Sequence, residues 1–238
     1  MGKDVIIACD FSSAKDTFDF LDKFQDEKPF VKIGMELFYA EGPEIVRELK
    51  RRGHKIFLDL KVHDIPNTAK KTMSVLSGLD IDMTNVHAAG TVNMMKAALE
   101  GLTRPDGTRP LLIAVTQLTS TDEDMMKKDL LIDKTMEVVV THYAMNAERA
   151  GLDGVVCSPK EASYVHDLCG DSFLTVTPGV RFADSEAGDQ KRVMTPAEAA
   201  KNGSDYIVVG RPITEATDPV AAYRRCVREF LNQGESNG

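Results

Sequence analysis

The chain has 238 residues, 42% hydrophobic and 28% charged, with a formal net charge of −8. That length suits one α/β barrel and allows a large core, so neither a disulfide nor a metal is needed to hold it together, and the composition excludes a disordered chain. The acidic balance argues against a nucleic-acid or membrane-surface binder, which carries a basic excess, but leaves room for a small anion held by a few local cations.

The start, "MGKDVIIACDF", has too short an apolar run for a signal peptide, and Ile6 spoils the myristoylation pattern. No run approaches the length of a membrane span, so a soluble cytoplasmic protein without a membrane partner is expected. The first strand, "VIIAC", runs into Asp10, after which Ser12 or Ser13 can cap a helix carrying Phe18, Leu21 and Phe24. "FVKI" is a second strand and contains Lys32; Pro43 then opens a helix that runs to Arg52 and stops at Gly53. The third strand, "KIFLDL", places Asp59, Lys61, His63 and Asp64 where it should be ending, and Pro66 opens a helix toward Leu79.

"MTNVH", "LLIAV", "GVVC", "FLTVT" and "YIVV" follow as further short runs rich in β-branched residues. Most are apolar on both faces, as in a parallel sheet covered by helices. The last helix, from Asp218 through Pro219, carries Val220, Tyr223, Val227, Phe230 and Leu231 on one face. Eight strand–helix units with no linker predict an α/β fold of one domain, a (β/α)8 TIM barrel over residues 1–232, with 233–238 a frayed tail. An open doubly wound sheet is the alternative, but the G-x-G-x-x-G turn is missing. Cys9, Cys157, Cys169 and Cys226 lack zinc or C-x-x-C spacing. Two of them lie in apolar runs as buried thiols, which fits a reducing cytoplasm.

A barrel of this kind gathers its chemistry at the C-terminal ends of the strands. Asp10, Lys32, Asp59, Lys61, Asp64, Thr119, Arg181 and Arg211 all fall there. Asp59 and Lys61 are two apart, so on a strand they point to one side, and if that side is inward Leu60 and Val62 pack outward. Asp64 falls in the turn, where periodicity does not place it. A buried ion pair that merely fixes the barrel end is the plain alternative. Such pairs add little stability, and Lys32 would bring a second buried ammonium with no structural reason. His63 has no second His or Cys at ligand spacing and reads as structural, whereas His87 could face the pocket; no metal or cofactor motif is visible.

"TPGVRFADSEAGDQKR" (177–192) and "VVGRPIT" (208–214) set backbone N–H groups and arginines after the last two strands, the usual phosphate cradle of this barrel. Asp184, Glu186 and Asp189 would repel phosphate, so most of them are expected to point to solvent, and the loop's Gly and small polar residues suit a flap.

Together, "ACDF", "VKIGMELF", "DLKVHDIPNT", "TQLTS", "TPGVR", "GDQKR" and "VVGRPI" resemble the orotidine 5′-monophosphate decarboxylase family, of the bacterial type, over nearly the whole chain. The Asp-x-Lys-x-x-Asp element is shared with Mg²⁺-dependent sugar-phosphate decarboxylases and aldolases; "IPNT", "GDQKR" and "GRPI" are more specific. The resemblance implies a cofactor-independent homodimer with shared active sites that converts orotidine 5′-monophosphate to uridine 5′-monophosphate and CO₂ in pyrimidine biosynthesis. It makes Lys61 the proton donor to carbon 6 and sets Asp59 against the substrate carboxylate. It sends Asp64, with Ile65 and Thr68 and the intervening Pro66 and Asn67, into the neighbouring subunit's site. Lys32 and Asp10 approach the ribose, Thr119 the pyrimidine, and Arg181, Gln190, Gly210 and Arg211 the phosphate, with Gln190 reaching toward the base. A Mg²⁺-dependent relative and a non-catalytic nucleotide-binding barrel are the alternatives.

Overall fold

Short runs of Val, Ile and Leu bounded by charge, Gly and Pro become eight strands in the computed structural model, which describes residues 3–25, 27–184 and 194–231. They are β1 (Asp4–Ala8), β2 (Phe30–Gly34), β3 (Ile56–Val62), β4 (Met83–His87), β5 (Leu111–Val115), β6 (Gly154–Val156), β7 (Leu174–Pro178) and β8 (Tyr206–Val209). Every pairing is parallel and in chain order, and β8 returns to β1 with Val5 opposite Ile207, closing the barrel. The expected tail, 233–238, lies outside the described residues.

Side chains alternate along each strand, so one set fills the barrel and the other meets the helices. Ile6, Phe30, Phe57, Met83, Ile113, Leu174, Val176, Tyr206 and Val208 form the inner cluster. Val5, Ile7, Val31, Ile33, Ile56, Leu58 and Leu60 join the larger core shared with the helices. Both layers are buried, which is why these strands read as nearly unbroken apolar runs.

The helices start where local chemistry satisfies their first N–H groups. Ser13 caps Ala14–Leu21, its hydroxyl accepting from the Asp16 N–H at 3.1 Å. Prolines open Pro43–Arg51, Pro66–Ser77 and Pro219–Leu231. In the last of these Phe230 is buried but Leu231 is 40% exposed, contrary to the expected face. One residue along a helix turns about 100°, so Cys226, four before Phe230, shares the buried stripe instead. Cys9, Cys157 and Cys226 are buried free thiols, and burial pushes Cys9 and Cys226 up to about 12.

One ladder is irregular. Between β3 and β4 the register runs from Leu58 opposite Thr84 to Val62 opposite Val86. Four steps on β3 therefore match two on β4, and within that bulge Lys61 adopts a left-handed backbone at φ 50°. The simple pleat expected from the two-residue spacing of Asp59 and Lys61 is thus replaced by a bulge, which re-aims the strand end.

Candidate active site

At the mouth formed by the strand C-termini, four charged side chains alternate in sign. Lys32 projects from β2 and is 9% exposed; its Nζ lies 2.8 Å from Asp10 Oδ1, just after β1, and 3.5 Å from Asp59 Oδ2 on β3. Lys61 Nζ is 2.7 Å from Asp59 Oδ1. A Cβ at Gly34, the last residue of β2, would stand 3.1 Å from Asp10 Oδ1 and 3.3 Å from Lys32 Nζ. Glycine therefore leaves the Asp10–Lys32 pair its room.

Burial pushes the Asp59 carboxyl up, but the Lys32 and Lys61 ammoniums and the hydrogen bonds from Lys61 and Asn85 outweigh it and hold the group below the usual carboxylate range. Burial likewise pulls Lys32 down, and Asp59 and Asp10 more than restore it. Both groups are charged at neutral pH. Lys32 and Asp59 thus form a buried, pre-charged centre compensated within the row, while Asp10 and Lys61 reach toward solvent at 59% and 26% exposure.

Asn85 has no counterpart among the sequence-based site residues. Fully buried on β4, its Nδ2 donates to Asp59 Oδ1 at 2.7 Å, and its Oδ1 accepts from the Lys61 backbone N–H at 2.8 Å. The available signal was an Asn inside "MTNVH", at the inward position between Met83 and His87, where an unsatisfied amide would be costly. His87 ends the same strand, its ring 5.7 Å from that of His63. Burial, then His63 and Lys61, lower the His87 imidazole.

A cavity of about 230 Å³ opens above the charged row. Lys32, Asp59 and Lys61 form one wall; Gln117, Thr119 and Ser120 after β5 form another; Val115, Leu118, Val156, Pro178 and Val208 supply apolar surface. Such a pocket, apolar with a few convergent polar groups, suits a small organic ligand. Arg181 follows β7, and Gly210 and Arg211 follow β8, on the same rim. Burial and then the like charge of Arg211 lower Arg181, with Glu215 opposing them. Asp184 turns away to Arg225 at 3.0 Å. Gln190, Glu186 and Asp189 lie outside the described residues.

Asp64, Ile65, Pro66, Asn67 and Thr68 do not join this row; all five are exposed, and Asp64 Oδ1 accepts from the Ile65 N–H at 2.7 Å. A larger hollow of about 440 Å³ lies at the opposite end of the barrel, lined by Glu148, Asp153, Asp171 and Asp205. Those acids repel anions, and Asp153 is already paired with Arg109.

Fold and site together define an enzyme of the (β/α)8-barrel class, with its charged centre at the C-terminal rim of the strands. The family model described as "Orotidine 5'-phosphate decarboxylase / HUMPS family" matches residues 3–226. An orotidine 5'-phosphate decarboxylase of Geobacillus sp. (strain WCH70) is 56% identical over 236 residues, 98% of this chain and 99% of that one. One of Bacillus cytotoxicus is 57% identical over 233 residues, 97% and 98% of the two chains. The crystal structure of orotidine 5'-phosphate decarboxylase from Lactobacillus acidophilus superposes with a TM-score of 0.86 at 43% identity, covering 96% of this chain and 99% of that one. The chain belongs to the orotidine 5'-phosphate decarboxylase / HUMPS family, and these relatives are carboxy-lyases.

Proposed function

We propose that the protein decarboxylates orotidine 5′-monophosphate to uridine 5′-monophosphate, the last step in making that nucleotide, with no metal or organic cofactor. The observation that carries this reading is the row Asp10–Lys32–Asp59–Lys61 at the cavity wall. Two ammoniums flank the Asp59 carboxylate, an arrangement that disfavours a divalent cation and suits a reaction that builds negative charge and then needs a proton.

Loss of CO₂ from pyrimidine carbon 6 leaves a carbanion with no ready electron sink, and enzymes lower barriers by up to ~23 kcal/mol or more. Asp59 set against the substrate carboxylate at about 4 Å would cost on the order of 4 kcal/mol at an effective dielectric near 20, and departure of CO₂ relieves that repulsion. Lys61 stabilises the developing charge and then delivers its proton to carbon 6. Lys32, held by Asp10 and Asp59, keeps Asp59 ionised and, with Asp10, meets the ribose hydroxyls. Thr119 meets the pyrimidine. Arg181, Gly210 and Arg211 grip the phosphate, and Gln190, outside the described residues, is assigned to the same substrate. That remote grip supplies binding energy for closing the site.

The same reading makes the protein a homodimer in which Asp64, Ile65, Pro66, Asn67 and Thr68 complete the partner's site. Their exposure supports it, since Ile65 is a large apolar side chain left 66% exposed. The test follows the loss of orotidylate absorbance with EDTA present. Turnover that survives the chelator and collapses in Lys61→Ala, with substrate binding largely kept, is the expected result. Chelator-sensitive turnover of orotidylate would overturn the metal-free reading, absence of both binding and turnover would favour a metal-dependent sugar-phosphate enzyme, and binding without turnover a nucleotide-binding barrel.

A further inference from the structure

We propose that Asn85 is a positioning residue: one buried amide sets both the Asp59 carboxylate and the backbone that aims Lys61. The proposal rests on the decarboxylase reading above. Asn85 lies between Thr84 and Val86, the β4 residues that bracket the bulge in β3. Its two ends act on two different parts of that bulge. The Nδ2 fixes Asp59 Oδ1, the oxygen that also receives Lys61 Nζ at 2.7 Å, and leaves Oδ2 toward Lys32. The Oδ1 takes the Lys61 N–H, holding a lysine at φ 50°.

A left-handed backbone is unfavourable at a residue with a Cβ and persists only where its surroundings fix it. A regular ladder would hold the Lys61 N–H with a β4 carbonyl; across the bulge the Asn85 side chain does so instead. Only an amide of this length offers a donor and an acceptor in one rigid plane, since a carboxylate lacks the donor and a leucine lacks both. Asp59 is faced by Lys32 from β2 and Lys61 from its own strand, with Asp10 beyond Lys32; the charges of Lys61 and Asp59 also act on His87, whose ring lies 5.7 Å from that of His63. Asn85 carries no charge at any pH, so it orients the ions without changing their sum.

The test measures kcat, KM and thermal melting for Asn85→Ala, Asn85→Asp and a matched control, Thr84→Val. Thr84 Oγ1 donates to the Leu58 carbonyl at 2.9 Å, an equally buried bond across the same two strands that touches none of the charged row. Asn85→Ala is expected to fold and to lose about 10²-fold in kcat with little change in KM, the scale on which a misplaced catalytic group acts. Asn85→Asp faces Asp59 with a second carboxylate, so the acid limb of kcat/KM moves to higher pH as the pair shares a proton. Thr84→Val is expected to melt lower at wild-type kcat.

Wild-type kcat in Asn85→Ala, an equal kcat loss in Thr84→Val, an unmoved pH profile in Asn85→Asp, or failure of both Asn85 variants to fold would overturn the proposal. Should the wild type prove inactive on orotidine 5′-monophosphate, the reaction falls rather than the clamp. A crystal structure of Asn85→Ala then decides it: Lys61 leaving the left-handed region supports the clamp, and Lys61 unmoved overturns it.

Discussion

At the scale of single residues, the proposed chemistry divides between groups that meet the breaking bond and groups that hold the far end of the substrate. Arg211 belongs to the second set, on the rim beyond β8 and near enough to Arg181 to lower it. Arg211→Ala is expected to reduce kcat/KM for the nucleotide by about 2–5 kcal/mol, the cost of truncating one partner of a charge-assisted contact. A phosphate-free nucleoside analogue should be turned over nearly as before. Parallel assays of the two substrates check this, and equal losses on both would contradict the division. The residues of the row were legible in sequence because charge at the end of an apolar strand is expensive and therefore conspicuous. Asn85 was not, since an uncharged amide in a strand signals only that it has partners, not which ones.

Among the elements, the helices Pro66–Ser77 and Thr91–Leu102 pack at backbone contact through Gly101, where a Cβ would meet the backbone of Lys70, closest at its carbonyl oxygen. Gly101→Ala must push the two helices apart, so about 1–3 kcal/mol of stability should be lost, as overpacking usually costs. Urea denaturation measures it, and an unchanged midpoint would mean that the contact is looser than it stands. Strands and helix starts could be read along the chain because each is a local statement. Apolar runs such as "LLIAV" are buried on both faces, Ser13 offers a cap, and Pro43 and Pro66 fit a first turn. The β3 bulge could not be read, because period-two reasoning assumes a regular ladder and two extra residues violate it without any change in composition. Leu231 failed for the opposite reason: its chemistry fits a core, but its angular position does not.

For the whole molecule, the exposed strip 64–68 and the charged row belong to one barrel but, under the proposed dimer, to two different sites. Lys61→Ala and Asp64→Ala should each be nearly inactive alone. Mixed and re-equilibrated in equal amounts they should regain about a quarter of wild-type activity, because half the dimers are hybrids and a two-fold interface leaves each hybrid one intact site. No recovery after subunit exchange would place Asp64 in its own chain's site. Strand periodicity could not position this strip, because it begins in the turn after β3, where the two-residue alternation ends. The alternating row has a last consequence. Its two acids and two ammoniums cancel, so under the proposed mechanism a proton handed from Lys61 to product leaves the row at a net charge of about −1. Lys61 is 26% exposed while Lys32 is 11% exposed, so water reaches the first ammonium more readily than the second. Under that mechanism, water must return a proton to Lys61 before the next cycle begins.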